Sequence, residues 1–270
     1  MNTPFQTPAD PTEAPLWDLS DLYASRTDPR IEADLDKARA LVGELNALQG
    51  QLIAARAEPA VLGERLDRAV TRYEQASELL GALGAYAFLA ASTDRNDAAA
   101  LGFEATVREK ITVIATPTVW VTLEINQLEE AEIDAALKAA PAAARWRPWL
   151  RRIRAMKPHE LSHELETFLA ERGPISAQWP RLFDETLAAL KVKAGKDELT
   201  LSEALNRLSD PKGERRKSAA EGLNEALGAR VQTMALVINT VAADHALEGR
   251  WRGFKRPATG PRGRGRRPPW

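Results

Sequence analysis

The chain has 270 residues and no cysteine, which excludes disulfides and thiolate metal sites and fits a reducing compartment. Hydrophobic residues at 44% and charged residues at 28% give the balance of a globular chain, long enough for one large domain or two modest ones. The net charge of −1 conceals an asymmetry: eight cations and no acid follow Glu248, so the first 248 residues hold 29 of the 37 basic groups against all 38 acidic ones, a net −9.

The N-terminal run "MNTPFQTPADPTEAPLW" has neither a basic n-region nor an apolar core, so no signal peptide is expected. No uninterrupted apolar stretch approaches membrane-spanning length, and the expected setting is the cytoplasm with no membrane partner. Four prolines among residues 1–15 predict a flexible leader. Asp28-Pro29 then supplies an N-cap and a proline at the first helical position. Ile31, Leu35, Ala38, Leu41, Val42, Leu45 and Leu48 follow at three- and four-residue steps, the mark of an amphipathic helix. Pro59 opens a second helix through Leu62, Leu66, Val70, Tyr73, Leu80, Leu83 and Ala87, ending near "STDRND".

The segment Ile111–Ile125 carries two periods at once. Its odd positions are all apolar or proline and its residues are β-branched, which favours a strand. Ile111, Ile114, Ala115, Thr118, Val121 and Ile125 also fall at helical spacing. A helix kinked at Pro117 is expected, because both neighbours are long helices and no partner strand is evident nearby.

Further helices are predicted over 131–139 and 143–156, with Trp146, Trp149 and Leu150 supplying bulk. Ser162 reads as an N-cap and Gly173 as the stop of the helix that follows. "PISAQWPRLFDETLAAL" reads as a helix interrupted near Pro180. A hairpin is expected around Ala194-Gly195-Lys196, and Thr200 to Glu203 forms a capping box. Asp210-Pro211 should open the last and longest helix, with a stripe through Ala220, Leu223, Leu227, Val231, Met234, Val237, Ile238, Val241 and Leu247. The expected fold class is all-α, long helices and helical hairpins with one small β-hairpin near residues 190–200.

One motif invites chemistry. His159-Glu160-Leu161-Ser162-His163 matches H-E-x-x-H, which on a helix sets two imidazoles one turn apart for zinc with the glutamate as general base. Yet Leu161, Leu165, Phe168 and Leu169 define the apolar face, and each histidine lies about 160° from Leu161. Both should face solvent. If Ser162 caps, His159 lies before the helix and the spacing is lost. His245, with Asp244 and Glu248 within one turn, offers a second pair that reads as surface electrostatics. The runs "RPWLRRIR" and "PKGERRK" read as solvated helix faces, and there is no phosphate loop, nucleophile elbow or cysteine nucleophile.

The ordered strings "WDLSDLY", "YAFLAASTDRND", "KPHELSHELE", "WPRLFDET", "LTLSEALNRLSDP" and "RWRGFKRP", from Trp17 to Pro257, resemble the N-terminal part of oligoendopeptidase F. The resemblance implies a relative of thimet oligopeptidase, a cytosolic zinc enzyme that cuts short peptides in a deep cleft. It makes residues 16–257 a helical N-terminal region. It also makes His159 part of a family-like string, which Glu160 and His163 complete to H-E-x-x-H by coincidence. The zinc motif of the family resembles H-E-x-G-H and has no counterpart in these 270 residues. Catalytic, cofactor-binding and metal residues are therefore each expected to be none in this chain, with zinc belonging to the complete enzyme.

After Pro257 the resemblance stops at "ATGPRGRGRRPPW", where Arg/Gly/Pro enrichment suits a truncated or frameshifted product. Residues 258–270 are expected to be a disordered tail. The alternative is a helical binding or scaffold protein whose native basic tail contacts nucleic acid. Trp270 alone gives bases little to stack on, so nucleic acid is not the expected partner; the resemblance implies short peptides, as partners of the complete enzyme.

Overall fold

The computed structural model describes residues 18–93 and 97–255. The leader 1–15, the tail 258–270 and parts of three of the family-like strings lie outside them. No single described helix is long and apolar enough to cross a membrane.

Helix α1 (Pro29–Asn46) begins where expected. The Asp28 carboxylate accepts the Arg30 amide N–H at 2.9 Å, and Pro29 occupies the first turn. The Arg30 guanidinium, then the Ala24 amide at 2.8 Å, hold Asp28 well below the usual carboxylate range. A short helix α2 (Gln51–Ala54) follows, and α3 (Pro59–Ser92) is the spine. At 34 residues it runs about 50 Å, and it is the longest helix described, contrary to the expectation for the C-terminal one. Its first half packs Leu62, Leu66, Ala69 and Val70 into one core. Its second half packs Leu80, Leu83, Tyr86 and Ala87 into another, against α1 and α4 (Ala98–Ala115).

The ambiguous segment is helical. Helix α4 gives way to a 3₁₀ turn at Thr116–Thr118, where Pro117 falls, and α5 (Trp120–Gln127) resumes. Ile111, Ile114, Ala115, Thr118, Val121 and Ile125 are all buried, while Val113, which a strand would have buried beside Ile111, is 69% exposed. The helical period therefore describes the burial and the alternation does not. Helix α6 (Glu130–Ala139) packs so close to α3 that a side chain at Gly63 would meet the Ala136 carbonyl oxygen at 2.6 Å. A 3₁₀ segment Pro141–Trp146 leads into α7 (Arg147–Arg154), shorter than the predicted 143–156.

Two predicted helix breaks move. Helix α8 (His163–Ser176) passes through Gly173, whose φ is not positive, so no left-handed cap forms there. Its last turn absorbs Pro174, and the break falls at Ala177 instead. Pro180 does not interrupt α9 (Gln178–Ala188); it sits in the first turn, where an amide N–H would have no helical partner.

Strands β1 (Lys191–Ala194) and β2 (Asp197–Thr200) pair antiparallel, Val192 opposite Leu199. Gly195, at φ +70°, opens the two-residue turn. Thr200 caps α10 (Leu201–Arg207) with the predicted reciprocal box. The single long C-terminal helix is in fact two, α11 (Gly213–Gly228) and α12 (Val231–Trp251), bent by 61°. The hairpin, α10 and α11 share a third, smaller core of Leu190, Val192, Ala194, Leu199, Ala204 and Leu223.

Candidate functional site

The H-E-x-x-H string does not lie on one helix. Lys157–His159 form a 3₁₀ turn, and Glu160 and Ser162 are extended, with ψ of 146° and 159°. The Ser162 hydroxyl accepts the Leu165 amide N–H and opens α8, which starts only at His163. A hydroxyl at the N-cap that accepts the third amide of the helix outweighs helix continuation here. The two imidazoles are thus not stacked one turn apart.

His163 is exposed, as expected, but His159 is half-buried, and that expectation is corrected. Its Nδ1 lies 2.8 Å from the Arg252 carbonyl oxygen, so Nδ1 carries a proton and donates. Its ring stacks on Phe254 with centroids 4.1 Å apart. Gly253, at φ +69°, turns the chain back to make this contact. Glu160, the would-be base, accepts a hydrogen bond from the Asn126 amide. His245 is exposed; Asp244 pairs with Arg172, and Glu248 with Arg252. Among the described residues no three His, Asp or Glu side chains cluster to hold a metal.

Arg252 is the centre of this region. Its side chain is 4% exposed and donates to Glu166 Oε1 at 2.6 Å and Oε2 at 3.0 Å, and to Glu248 Oε1 at 2.6 Å. Burial works against its charge, but the hydrogen bonds it donates to Glu166 and Glu248 leave its pKa raised above the ordinary value. Two strings from the sequence, "KPHELSHELE" and "RWRGFKRP", therefore meet in space through His159, Glu166, Arg252 and Phe254. The spacing of 93 residues between His159 and Arg252 left no local sign of it.

Around that junction the molecule is open. Helices α8 and α9 contain no buried residue, and α12 buries only Val237. Val237 is 3% exposed while its neighbours Leu236 and Ile238 are 60% and 57% exposed, so apolar side chains flank the buried seam on both sides. Of the predicted stripe on α12 only Val237 is buried, and Val231, Ile238 and Leu247 are exposed. A groove of about 510 Å³ runs along α9, walled by Ile175, Trp179 and Leu182 and edged by Gln178 and the Arg181–Glu185 ion pair at 2.6 Å. An apolar trough with a few polar groups at its rim suits the side chains of a bound chain. Phe168, expected on the covered face of α8, is also exposed.

Because His163 contacts no acceptor cluster, His163→Ala should change stability by less than about 0.5 kcal/mol, as exposed substitutions do. Protein dialysed against a mild chelator should carry no stoichiometric zinc before or after the change. One zinc per chain, lost with His163, would show that the string does bind metal.

Residues 124–191 match a family described as Oligopeptidase F. The chain is 24% identical over 237 residues to "Oligopeptidase PepF" of Bacillus subtilis (strain 168), covering 85% of this chain and 34% of that protein. Among solved structures, oligoendopeptidase-F from Enterococcus faecium superposes with a TM-score of 0.72 at 18% identity, over 84% of this chain and 44% of that one. A putative peptidase from Chlamydophila abortus gives 0.53 at 21% identity, over 89% and 40%. At these identities the structural likeness shows the fold. The chain spans about a third of the curated relative's length and under half of each solved one.

Proposed function

We propose that the chain, whose residues 124–191 match the Oligopeptidase F family, is the N-terminal portion of such an enzyme and forms the non-catalytic, cleft-forming part of a zinc metalloendopeptidase that hydrolyses short peptides. The observation that supports this reading is the uncovered apolar face along α9, with its groove between Ile175, Trp179 and Leu182. In this reading the face is one wall of a peptide cleft in a cytoplasmic enzyme, and the Arg252 clamp fixes how α12 stands against α8.

Zinc is the metal that the family implies, but the described residues do not fit it. His159 is committed to a backbone carbonyl and an aromatic ring, and Glu160 to an amide. No step of peptide hydrolysis is assigned to them. What the chain supplies in this reading is shape, apolar side chains along α9 to hold a peptide.

A short peptide carrying a photoreactive side chain tests the proposal on the chain as it stands. Cross-links should fall on Ile175, Trp179 or Leu182, and Leu182→Glu should lower labelling about tenfold, the worth of one buried leucine side chain. Quenched fluorescent peptides should stay uncut. Labelling spread elsewhere, or unaltered by Leu182→Glu, would defeat the proposal.

A further inference from the structure

Between α3 and the segment 141–154 lies a second cavity of about 380 Å³. It is built from one face of α3, where Tyr73, Glu74, Ser77 and Glu78 follow at helical spacing, and from Trp146 and Trp149 opposite. We propose that it is a binding site for an organic cation, the alkylammonium or guanidinium head of a lysine- or arginine-like ligand.

Three independent observations carry this. The walls are aromatic: the Tyr73 and Trp149 rings lie 5.7 Å apart, and the Trp146 indole is fixed by its Nε1–H bond to Asp67 at 2.8 Å. Such rings attract cations through their electron-rich faces. The same indole already holds one, for the Arg145 guanidinium carbon sits 4.4 Å from its ring centre.

The rim is anionic and unbalanced. Glu74 and Glu78, both exposed, stand one turn apart and repel each other, and neither forms an ion pair among the described residues. The neighbouring arginines are directed elsewhere, Arg72 to Glu44 at 2.8 Å and Arg145 to Asp67 at 3.2 Å. The third observation is Ser77. It is 7% exposed, and its hydroxyl has no hydrogen-bond partner although a helical serine can bond back to the carbonyl four residues earlier. A buried hydroxyl without a partner is costly unless something else reaches it. An ammonium or guanidinium entering between the two glutamates would donate to it and relieve the repulsion. The volume suits an organic side chain, not a bare ion.

Two-dimensional NMR of the tryptophan indole N–H groups tests the site, with the full chain titrated by Nα-acetyl-lysine methylamide, Nα-acetyl-arginine methylamide and the neutral Nα-acetyl-norleucine methylamide. The Trp146 and Trp149 signals, assigned through Trp→Phe variants, should shift with at least one of the cationic probes and not with the neutral one. The lysine and arginine arms separate ammonium from guanidinium. Glu74→Gln with Glu78→Gln should weaken binding about tenfold or more. Ser77→Ala should weaken binding while raising the melting temperature, a combination that loss of folding cannot produce. Equal binding of the norleucine probe, affinity unchanged in the double variant, or saturation by magnesium ions with no response to the organic cations would each overturn the proposal.

Discussion

Gly222→Ala is expected to be among the most damaging single-methyl changes this chain can suffer, at about 3 kcal/mol. The added Cβ would stand 2.0 Å from the Lys193 carbonyl oxygen, 2.9 Å from its carbon and 3.0 Å from Val192 Cγ1. Two of these three atoms are backbone, so no rotamer change can make room, and α11 must move away from β1. That movement opens the core of Leu190, Val192, Ala194, Leu199, Ala204 and Leu223, which holds the hairpin in place. A two-stranded hairpin has little stability of its own, so it should loosen with its cover. Urea denaturation should show the loss, and hydrogen exchange at Val192 and Leu199 should rise first. Gly43→Ala is the matched control. Nothing lies within 4 Å of the new methyl, and Gly43 is interior to α1, so about 0.5–1 kcal/mol of gain is expected. If Gly222→Ala cost less than the control gains, the close packing of α11 on β1 would be wrong.

Much of the fold was legible because its signals are local. The Asp28-Pro29 start, the turn at Gly195 and the box from Thr200 to Glu203 each close within four residues, and each stands where it was expected. Between Ile111 and Ile125 local propensity pointed to a strand, and only the neighbouring helices argued otherwise. Burial of Ile111, Ile114, Val121 and Ile125 beside an exposed Val113 shows that packing decided the matter. Gly173 and Pro180 misled for a related reason. Glycine stops a helix only when it turns left-handed, and proline breaks one only past the first turn, and neither condition can be read from residue type.

The candidate site was less legible. Periodicity reveals that α12 has an apolar stripe, but it cannot say whether anything covers that stripe, since cover is a property of other segments. The bend between Gly228 and Val231 turns α12 by 61° and sets which side chains meet α9. The H-E-x-x-H match is the converse case, in which a strong pattern was dissolved by a single serine cap. Nothing within reach of His159 in the sequence foretold that its partners would be Arg252 and Phe254.

Arg252→Ala should therefore be costly in a way its surroundings in sequence do not suggest, at about 3–5 kcal/mol. The guanidinium is almost fully buried and meets two carboxylates, bidentate on Glu166. Removing it leaves those carboxylates facing each other with no cation between them, and that uncompensated charge dominates the loss. Arg252→Lys should recover little, because an ammonium cannot reproduce the two parallel bonds to Glu166 and the third to Glu248. Arg252→Met combined with Glu166→Gln should be milder than Arg252→Ala, since it removes the two most buried charges together and leaves without its cation only Glu248, whose side chain is 32% exposed. The three variants, ranked by urea midpoint, separate a charge clamp from simple packing. If a fourth variant, Arg252→Met on its own, matched the wild type, packing would account for the site and the clamp would be dismissed. The consequence reaches the groove, because Arg252 joins the end of α12 to the first turn of α8. With the clamp gone, the His159–Phe254 stack should open, α12 should swing on the bend at Gly228, and peptide labelling along α9 should fall with the stability.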